Sequence, residues 1–332
     1  MGIKSLTQTI KKFTPDSIEN ENLYKLSGKK VAVDASLVIY QQLLKCPKNA
    51  LFKTSNGKIT NHITGLFYKI MNYISLNIEM IFVFDGKPPD NKQACIAKRK
   101  EKSNKAKEEC DTETNIDKKN IKEKESIRIT KEIIDDTKKL LNLMGIKYVH
   151  PSEGEGEAYA SELCRIGYVD YVLTEDMDTM AYACPKLIRN CVDKSLKRKD
   201  IISIFSYDKI IEGLDMTHDK FLDFCILCGC DYCPVVPKIG NITALKLIRK
   251  YDSIEDIMKN TSFDFPENYL NMFNDSKKNF YIFRDKLSVD DIDFVSSDVD
   301  IDGLKEFLIS EVEMNEKRVE NTIKKFTNTY NK

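Results

Sequence analysis

The chain has 332 residues, 42% of them hydrophobic, so it can bury a sizeable core and is not globally disordered. Lysine plus arginine and aspartate plus glutamate both total 52, so the overall charge does not mark a nucleic-acid binder. No apolar run approaches the length of a transmembrane helix, and the first 30 residues lack a secretory pattern. We therefore expect an intracellular protein without membrane association, with its ten cysteines reduced.

Three short apolar runs each end in an aspartate. They are residues 30–34, 80–85 and 171–176. Their β-branched and aromatic residues, separated by helical patterns, predict buried strands of a mostly parallel sheet, and residues 187–188 and 201–205 predict further strands. Ligands bind outside the carboxyl ends of such strands, so Asp34, Asp85 and Asp176 should meet at one site.

A charged segment follows the second predicted strand. Residues 98–107 contain six basic residues and one acidic residue, and the stretch as far as Glu125 has too few apolar residues for a core of its own. An amphipathic helix is predicted from Ile127 to Gly145. We interpret the segment as a charged insertion between sheet and helix, and a solvated pair of surface helices is the alternative.

Residues 219–250 predict two helices around a loop at 231–240, with the second helix running from about 241 to 250. The loop contains Lys238 and Gly240, and its amides together with a helix N-terminus can hold a phosphate. Four cysteines lie in the first helix and the loop, at Cys225, Cys228, Cys230 and Cys233. The second pair of a zinc or iron–sulfur site normally lies further away, so we interpret them as small buried thiols.

Acidic pairs add to the strand-end aspartates. They are Glu155-x-Glu157 and Asp176-x-Asp178, followed by Asp231. Carboxylates that converge without a cation repel each other and take up protons. Two magnesium ions would relieve that repulsion, because magnesium prefers oxygen ligands. A metal pair about 4 Å apart can activate a water and stabilise the leaving oxygen in phosphodiester hydrolysis.

The chain resembles the flap endonuclease family, structure-specific 5′ nucleases of the XPG/Rad2 type. The resemblance extends in order from Met1 to about Lys325. The motifs that carry it are Met1-Gly2-Ile3-Lys4-Ser5-Leu6, Val31-Ala32-Val33-Asp34-Ala35-Ser36, Val83-Phe84-Asp85-Gly86-Lys87-Pro88-Pro89, Thr174-Glu175-Asp176-Met177-Asp178 and Gly229-Cys230-Asp231-Tyr232-Cys233. Together these motifs are very specific.

The resemblance implies a three-layer α/β fold with a mostly parallel, PIN-like central sheet, a helical arch and a helix–loop–helix that binds DNA. We expect the first part of the nuclease core at 1–89, the arch at 90–133 and the rest of the core at 134–332. The implied activity is a 5′ flap endonuclease with 5′-3′ exonuclease activity, acting in replication and repair. It would use two Mg²⁺ per active site, with Mn²⁺ as a substitute.

The resemblance also assigns the metal-binding acids. They are Asp34, Asp85, Glu155, Glu157, Asp176, Asp178 and Asp231. Glu153 is an alternative to Glu157, because Glu153 and Glu155 fit the family's Pro-Ser-Glu-x-Glu pattern. The distance along the chain to Asp176 instead favours Glu155 and Glu157, and lengthening a loop costs less than inserting residues into a helix.

Further residues are assigned roles by their position in the family's motifs. Lys92 and Arg99, seven residues apart, would stabilise charge on the scissile phosphate, and Asp178 is assigned to catalysis as well as to metal binding. The expected DNA-binding residues are Gly2, Tyr40, Lys98, Lys238, Gly240 and Lys246. Tyr40 would stack on a nucleotide near the cut, and a core tyrosine is the alternative.

The chain departs from the family in two places. Val235 stands where the family has a small hydroxyl residue, which puts a bound monovalent cation in doubt. The box that binds a sliding clamp is missing, since residues 320–327 lack its glutamine and second aromatic. We expect a monomer that binds flapped or branched DNA in the nucleus. The rival hypotheses are an exonuclease or junction cutter, and a DNA-junction binder without catalysis.

Overall fold

The computed structural model describes residues 2–45, 51–193, 195–196 and 200–330, with the backbone alone at residues 291 and 326–330. Cys46, one of the cysteines expected to be reduced, therefore lies outside the described residues. The chain divides into two compact units. The first unit comprises Met1–Lys25, Asp85–Cys95 and Pro151–Ile292, and the second comprises Leu26–Phe84, Ile96–His150 and Asp293–Lys332. The predicted division near residues 89 and 133 stays a prediction.

Strands and helices alternate along much of the described chain. The strands are β1 (Ile18–Asn22), β2 (Lys30–Asp34), β3 (Glu79–Val83), β4 (Tyr148–Val149), β5 (Tyr171–Leu173), β6 (Lys186–Asn190) and β7 (Ile201–Ser206). The helices are α1 (Leu6–Phe13), α2 (Ala35–Leu44), α3 (Asn61–Ser75), α4 (Gln93–Thr112), α5 (Ile116–Ser126), α6 (Lys131–Leu143), α7 (Gly156–Arg165), α8 (Asp178–Ala181), α9 (Tyr207–Leu214), α10 (His218–Cys228), α11 (Asn241–Lys250), α12 (Ile254–Asn260), α13 (Tyr269–Phe280), α14 (Ile301–Glu306) and α15 (Glu316–Tyr330). The described helices include none that is long and apolar enough to cross a bilayer.

The strands of the first unit lie in the order β1-β7-β6-β5. β5 and β6 are parallel, with Val172 opposite Leu187, whereas β7 runs antiparallel to both of its neighbours. The sequence pattern did not reveal β1, whose residues after Ile18 are all polar. Its partner decides its conformation, because Ile18 lies opposite Phe205 and the strand follows β7 over its whole length.

The strands of the second unit are all parallel, with β3 between β2 and β4. β2 is buried from Val31 to Asp34, as expected for an apolar strand covered on both faces. Three of the five strand pairs described for the two units are parallel, so the predicted α/β class is confirmed. β3 and β5 end two and three residues before Asp85 and Asp176, so these two acids lie in the loops after their strands.

The charged insertion forms two helices, α4 and α5, which is the surface-helix alternative. Ser103 of α4 donates a hydrogen bond to the carbonyl of Ser126, at 2.7 Å, and Lys122 of α5 lies 2.8 Å from Glu109. Ile116 remains 75% exposed, so the pair buries little apolar surface. A hydrogen bond and an ion pair therefore connect α4 and α5 in addition to a small apolar contact.

Candidate active site

Asp85 and the start of α7 form the first part of an acidic cluster in the first unit. Asp85 follows β3 in the chain, and its Oδ1 accepts a hydrogen bond of 2.7 Å from the amide of Gly156. Glu155 is the residue before α7, and Glu157 lies in its first turn. Both glutamates are 7% exposed, and both favour the helix because negative charge stabilises a helix N-terminus.

Backbone hydrogen bonds hold the segment after Asp85 against the loop that precedes α7. The amide of Gly86 donates to the carbonyl of Gly154 at 2.9 Å, and the amide of Lys87 donates to Ser152 at 3.1 Å. A Cβ at Gly86 would lie 2.6 Å from the carbonyl oxygen of Pro151, so only glycine permits this approach. The glycine in the predicted motif therefore lets two distant segments bring their acids together.

Asp176 and Asp178 form the second part of the cluster. Asp176 lies in the turn after β5, and its Oδ1 accepts a hydrogen bond of 3.1 Å from the amide of Asp178. Asp178 is the first residue of α8 and is 2% exposed. Its Oδ1 has no hydrogen-bond partner among the described residues, which is a costly state for a buried carboxylate.

Glu157 joins the two parts. Ligand oxygens of Asp85, Glu155 and Glu157 lie within 4.8 Å of one another, and so do those of Glu157, Asp176 and Asp178. The five acids come from three separate stretches of the chain. Such a set of carboxylate oxygens fits a hard divalent cation, which oxygen ligands bind best.

Asp231 and Lys92 lie beside these acids. Asp231 follows α10, and its Oδ2 is 3.5 Å from Nζ of Lys92, which also forms an ion pair with Glu155. The Lys92 ammonium lies 5.8 Å from the centre of the Tyr232 ring, and the hydroxyl of Tyr232 bonds to that of Tyr182 at 2.6 Å. Lys92 belongs to the 3-10 turn before α4 and not to the helix itself.

The pKa values in the cluster reflect burial and the charges of neighbouring groups. Burial raises the pKa of Asp178 well above its usual range, and the charges of Asp176 and Asp231 raise it further. Burial also raises the pKa of Glu155, against the opposing effect of Lys92. Burial alone would lower the pKa of Lys92, but Glu155 is the first of several acids that outweigh it, and the pKa is raised. The acids thus have raised pKa values mainly because they are buried, and Lys92 has a raised pKa because the neighbouring carboxylates outweigh its burial.

Gly2 lies against the second part of the cluster. A Cβ on this residue would sit 1.8 Å from Oδ1 of Asp176 and 2.7 Å from Oδ1 of Asp178. Its φ of +85° is also a conformation that other residues rarely adopt. Met1 lies outside the described residues. The structure thus places Gly2 at the acids, and its assigned contact with DNA stays a prediction.

The structure separates Glu153 from the other two glutamates of its loop. Glu153 is exposed and forms an isolated parallel bridge with Lys87, and it belongs to neither group of close acids. Glu155 and Glu157 are the pair that lies with Asp85 and Asp178. The placement agrees with the preference drawn from the distance along the chain, while the assignment of metal ligands stays a prediction.

Four other predicted site residues belong to the second unit. Asp34 is 3% exposed at the end of β2, and its Oδ1 accepts a hydrogen bond of 3.0 Å from the amide of Leu37, which caps α2. Tyr40 is half-buried on α2, and Lys98 and Arg99 are exposed on α4. Their roles at the acidic cluster stay predictions.

The predicted helix–loop–helix is formed by α10 and α11. The second helix has the predicted bounds, with Gly240 as the residue before its first turn. Lys238 is exposed in the loop with a positive φ of 66°, and Lys246 is exposed on α11. The side chain of Asn241 donates to the hydroxyl of Thr9 at 2.9 Å, which anchors this helix N-terminus to α1. Lys238 and Lys246 therefore lie on the surface.

Some residues at the cluster had no sequence signal. Cys95 lies with its sulfur 3.5 Å from Oδ1 of Asp231, and nothing in the sequence pattern relates these two residues. Tyr182 and Tyr232 lie 50 residues apart and meet only in the folded chain.

Of the four cysteines around α10, Cys225, Cys228 and Cys233 are buried and Cys230 is half-buried, and all four are free thiols.

Comparisons with known proteins agree with this geometry. The XPG N-terminal domain matches residues 1–106 and the XPG I-region matches residues 145–231. The chain is 36% identical to Flap endonuclease 1 of Glycine max, covering 100% of this chain and 88% of the relative. It is 38% identical to Flap endonuclease 1 of Naegleria gruberi, covering 100% of this chain and 87% of the relative.

Solved structures give the same result. A flap endonuclease-1 from Methanococcus jannaschii superposes with a TM-score of 0.72 at 28% identity, covering 99% of this chain and 98% of that one. The catalytic core of Rad2 in complex with DNA substrate gives a TM-score of 0.67 at 21% identity, covering 95% and 98%, and shares the fold. Fold and acidic cluster define a nuclease of the metal-dependent α/β class. The chain belongs to the flap endonuclease family.

Proposed function

We propose that the protein is a structure-specific 5′ flap endonuclease that hydrolyses DNA near the junction of single and double strands. The single observation that carries this proposal is the position of Glu157, whose carboxylate lies within 4.8 Å of ligand atoms from both groups of acids. A continuous row of oxygen ligands suits two divalent ions better than one. Membership of the flap endonuclease family supplies the substrate class.

Two Mg²⁺ ions are the proposed cofactors, with Mn²⁺ as a substitute. Asp85, Glu155 and Glu157 would hold one ion, and Glu157, Asp176 and Asp178 would hold the other. The set is completed by Asp231 and, by resemblance to the family, Asp34. When bound, the ions lower the pKa of a water molecule and stabilise the charge on the reacting phosphate.

The remaining assigned residues bind and orient DNA. Lys92 and Arg99 supply positive charge to the scissile phosphate. Tyr40 and Gly2 contact the nucleotides near the cut. The amides before α11, together with Lys238, Gly240, Lys246 and the basic residue Lys98, bind the backbone of the duplex. These contacts are independent of base sequence, as a nuclease that reads DNA shape requires.

The proposal extends to 5′-3′ exonuclease activity and to a monomer that acts on nuclear DNA in replication and repair. A sliding clamp is not a proposed partner through the C-terminal helix. Residues 320–327 lie in α15, and the burial of Ile323 supports a packing role for this segment. A monovalent cation bound near Val235 is likewise left out of the proposal, because the hydroxyl residue of the family is replaced there by valine.

One cleavage assay tests the proposed function. Purified protein is offered 5′-flap, nicked, bubble, four-way and 3′-flap DNA with Mg²⁺ or with chelator. We expect Mg²⁺-dependent cleavage of the 5′ flap, lost in Asp178→Ala and retained in Asp302→Ala, whose side chain is 99% exposed and pairs only with Lys305 among the ion pairs described. Equal cleavage by Asp178→Ala would rule out the proposed site, and preference for the four-way junction would make the protein a junction cutter.

A further inference from the structure

Lys92 occupies an unusual position for a lysine. Its side chain is 11% exposed, and its ammonium forms an ion pair with Glu155 and lies 3.5 Å from Asp231. The turn that carries it is held from another direction, since the side chain of Asn279 donates to the side chain of Asn91 at 2.6 Å. Lys92 is therefore a largely buried member of the acidic cluster and not an exposed surface lysine.

The simplest interpretation of the contact between Lys92 and Glu155 is an ordinary ion pair that adds a little to the stability of the fold. Exposed ion pairs contribute little to stability. The pair of Lys92 and Glu155 is largely withdrawn from water, and charges interact several times more strongly in such an environment than they do in water. Its partners, Glu155 and Asp231, are also two of the acids proposed to bind metal. The same carboxylates thus serve an ammonium in the structure and a divalent ion in the proposed reaction.

We propose that Lys92 is a built-in counter-ion that neutralises Glu155 and Asp231 until a divalent metal displaces it. The inference rests on the proposed function for the identity of these acids as metal ligands. A divalent ion among the carboxylates repels an ammonium a few ångströms away, and it takes over the oxygens that the ammonium contacts. Metal loading then frees the lysine to bind a phosphate of the DNA. Metal binding and the availability of Lys92 are coupled in this way.

The coupling predicts a gain in metal affinity when the lysine charge is removed. Mn²⁺ binding to the full chain is measured by the electron paramagnetic resonance signal of the free ion, without DNA. We expect Lys92→Met to lower the dissociation constant at least tenfold, because the metal no longer displaces a cation. Lys92→Arg keeps the charge and should stay within threefold of the wild type. Equal or weaker Mn²⁺ binding by a folded Lys92→Met would overturn the inference.

A matched control separates this effect from a change in net charge. Lys278→Met also removes one ion-paired lysine, but its side chain is 76% exposed and pairs with Asp275 on α13. Its Mn²⁺ affinity should equal that of the wild type. A tenfold gain in this variant as well would show that general charge, and not the position of Lys92, sets the affinity.

A second measurement needs no variant. The wild-type protein is treated briefly with an amine-acetylating reagent, and acetylation of Lys92 is quantified by peptide mass spectrometry with and without saturating Mg²⁺. We expect Mg²⁺ to increase acetylation of Lys92 at least threefold and to leave Lys278 unchanged. Unchanged or reduced acetylation would contradict displacement. If the wild type binds no divalent metal at all, the proposed function fails; if it binds metal and cuts DNA without these effects, only the inference fails.

Discussion

Gly2 and Asp176 lie so close that a side chain on the glycine would overlap the carboxylate, since a Cβ would sit 1.8 Å from Oδ1. We predict that Gly2→Ala moves Asp176 and weakens Mn²⁺ binding by about tenfold, the effect of 1.4 kcal/mol on an equilibrium. The positive φ adds strain on the order of 1–2 kcal/mol. Gly240→Ala is the matched control for metal binding, because a Cβ there meets no described atom within 4 Å. A Gly2→Ala variant with wild-type Mn²⁺ affinity would contradict the predicted crowding.

Glu157 and Glu153 are predicted to differ sharply when each is replaced by glutamine. Glu157 belongs to both groups of close acids. Glu157→Gln should therefore reduce cleavage of a 5′ flap in Mg²⁺ by about 100-fold or more, because even the loss of a residue that only supports a metal ligand costs about 10- to 100-fold. Glu153 is exposed and outside both groups, so Glu153→Gln should cleave within about threefold of the wild type. Single-turnover cleavage rates of the wild type, Glu157→Gln and Glu153→Gln measure this difference. The reverse order would move the metal-binding pair to Glu153 and Glu155.

The helix–loop–helix lysines are predicted to contribute through phosphate contacts. Lys238→Ala and Lys246→Ala should each weaken binding to flapped DNA regardless of its sequence, and each should reduce the slope of log affinity against log salt by about one. Fluorescence anisotropy at several salt concentrations, with Ca²⁺ in place of Mg²⁺ to prevent cleavage, measures both quantities. Lys259→Ala, on α12, is the control. A wild-type slope in both lysine variants would remove the helix–loop–helix from the proposed DNA interface.

His62 predicts a loss of stability in acid. The side chain is fully buried, and burial, together with the charge of Lys58, lowers its pKa to about 4 from 6.5. Between these values the unfolded chain binds a proton that the folded chain does not, so the free energy of unfolding falls as the pH drops from about 6.5 to 4. The full effect is about 3 kcal/mol.

The matched variant for this prediction is His62→Leu. Neither ring nitrogen of His62 hydrogen-bonds to a described residue, so leucine should cost little at pH 7. Urea denaturation from pH 7 to pH 4 should show a shallower loss of stability in this variant, by about 3 kcal/mol. Parallel pH curves for the two proteins would show that His62 becomes protonated without a penalty in the folded state.

The hydroxyls of Tyr182 and Tyr232 are predicted to depend on each other. They lie 2.6 Å apart in a buried site, so Tyr182→Phe or Tyr232→Phe should cost about 1–3 kcal/mol by leaving one hydroxyl unpaired. The double variant should cost less than the sum, because it leaves no partner unpaired. Urea denaturation of all four proteins completes the cycle. Additive losses would mean that the hydroxyls do not interact.

Much of this architecture follows from local signals. The apolar run Val31–Val33 predicts a buried strand and forms β2, and α11 has the bounds that its apolar spacing and its preceding glycine indicate. The acids after the apolar runs also predict a site, because strand direction places the carboxyl end of each strand next to its loop. Such features depend on residues close together in the chain, so they can be read without the fold.

Other features depend on which distant segments meet. β1 is a strand because β7 pairs with it, although its own residues are polar. The family's motif allowed Glu153 in a role for which the distance along the chain favoured Glu157. The structure separates these two residues by burial, which depends on the atoms packed around each side chain. Lys92 and Glu155 lie 63 residues apart in the chain, and their ion pair exists only because the turn before α4 and the loop before α7 fold onto each other.

The amino-acid sequence by itself determined the α/β class and the family, and it supplied the candidate acids, since these rest on residue types and their order along the chain. The tertiary structure alone decided which acids lie close together, that the Lys92 ammonium lies beside them, and that Gly2 packs against Asp176. The physical reason is that electrostatic and steric interactions act over a few ångströms of space, whatever the separation of the residues along the chain.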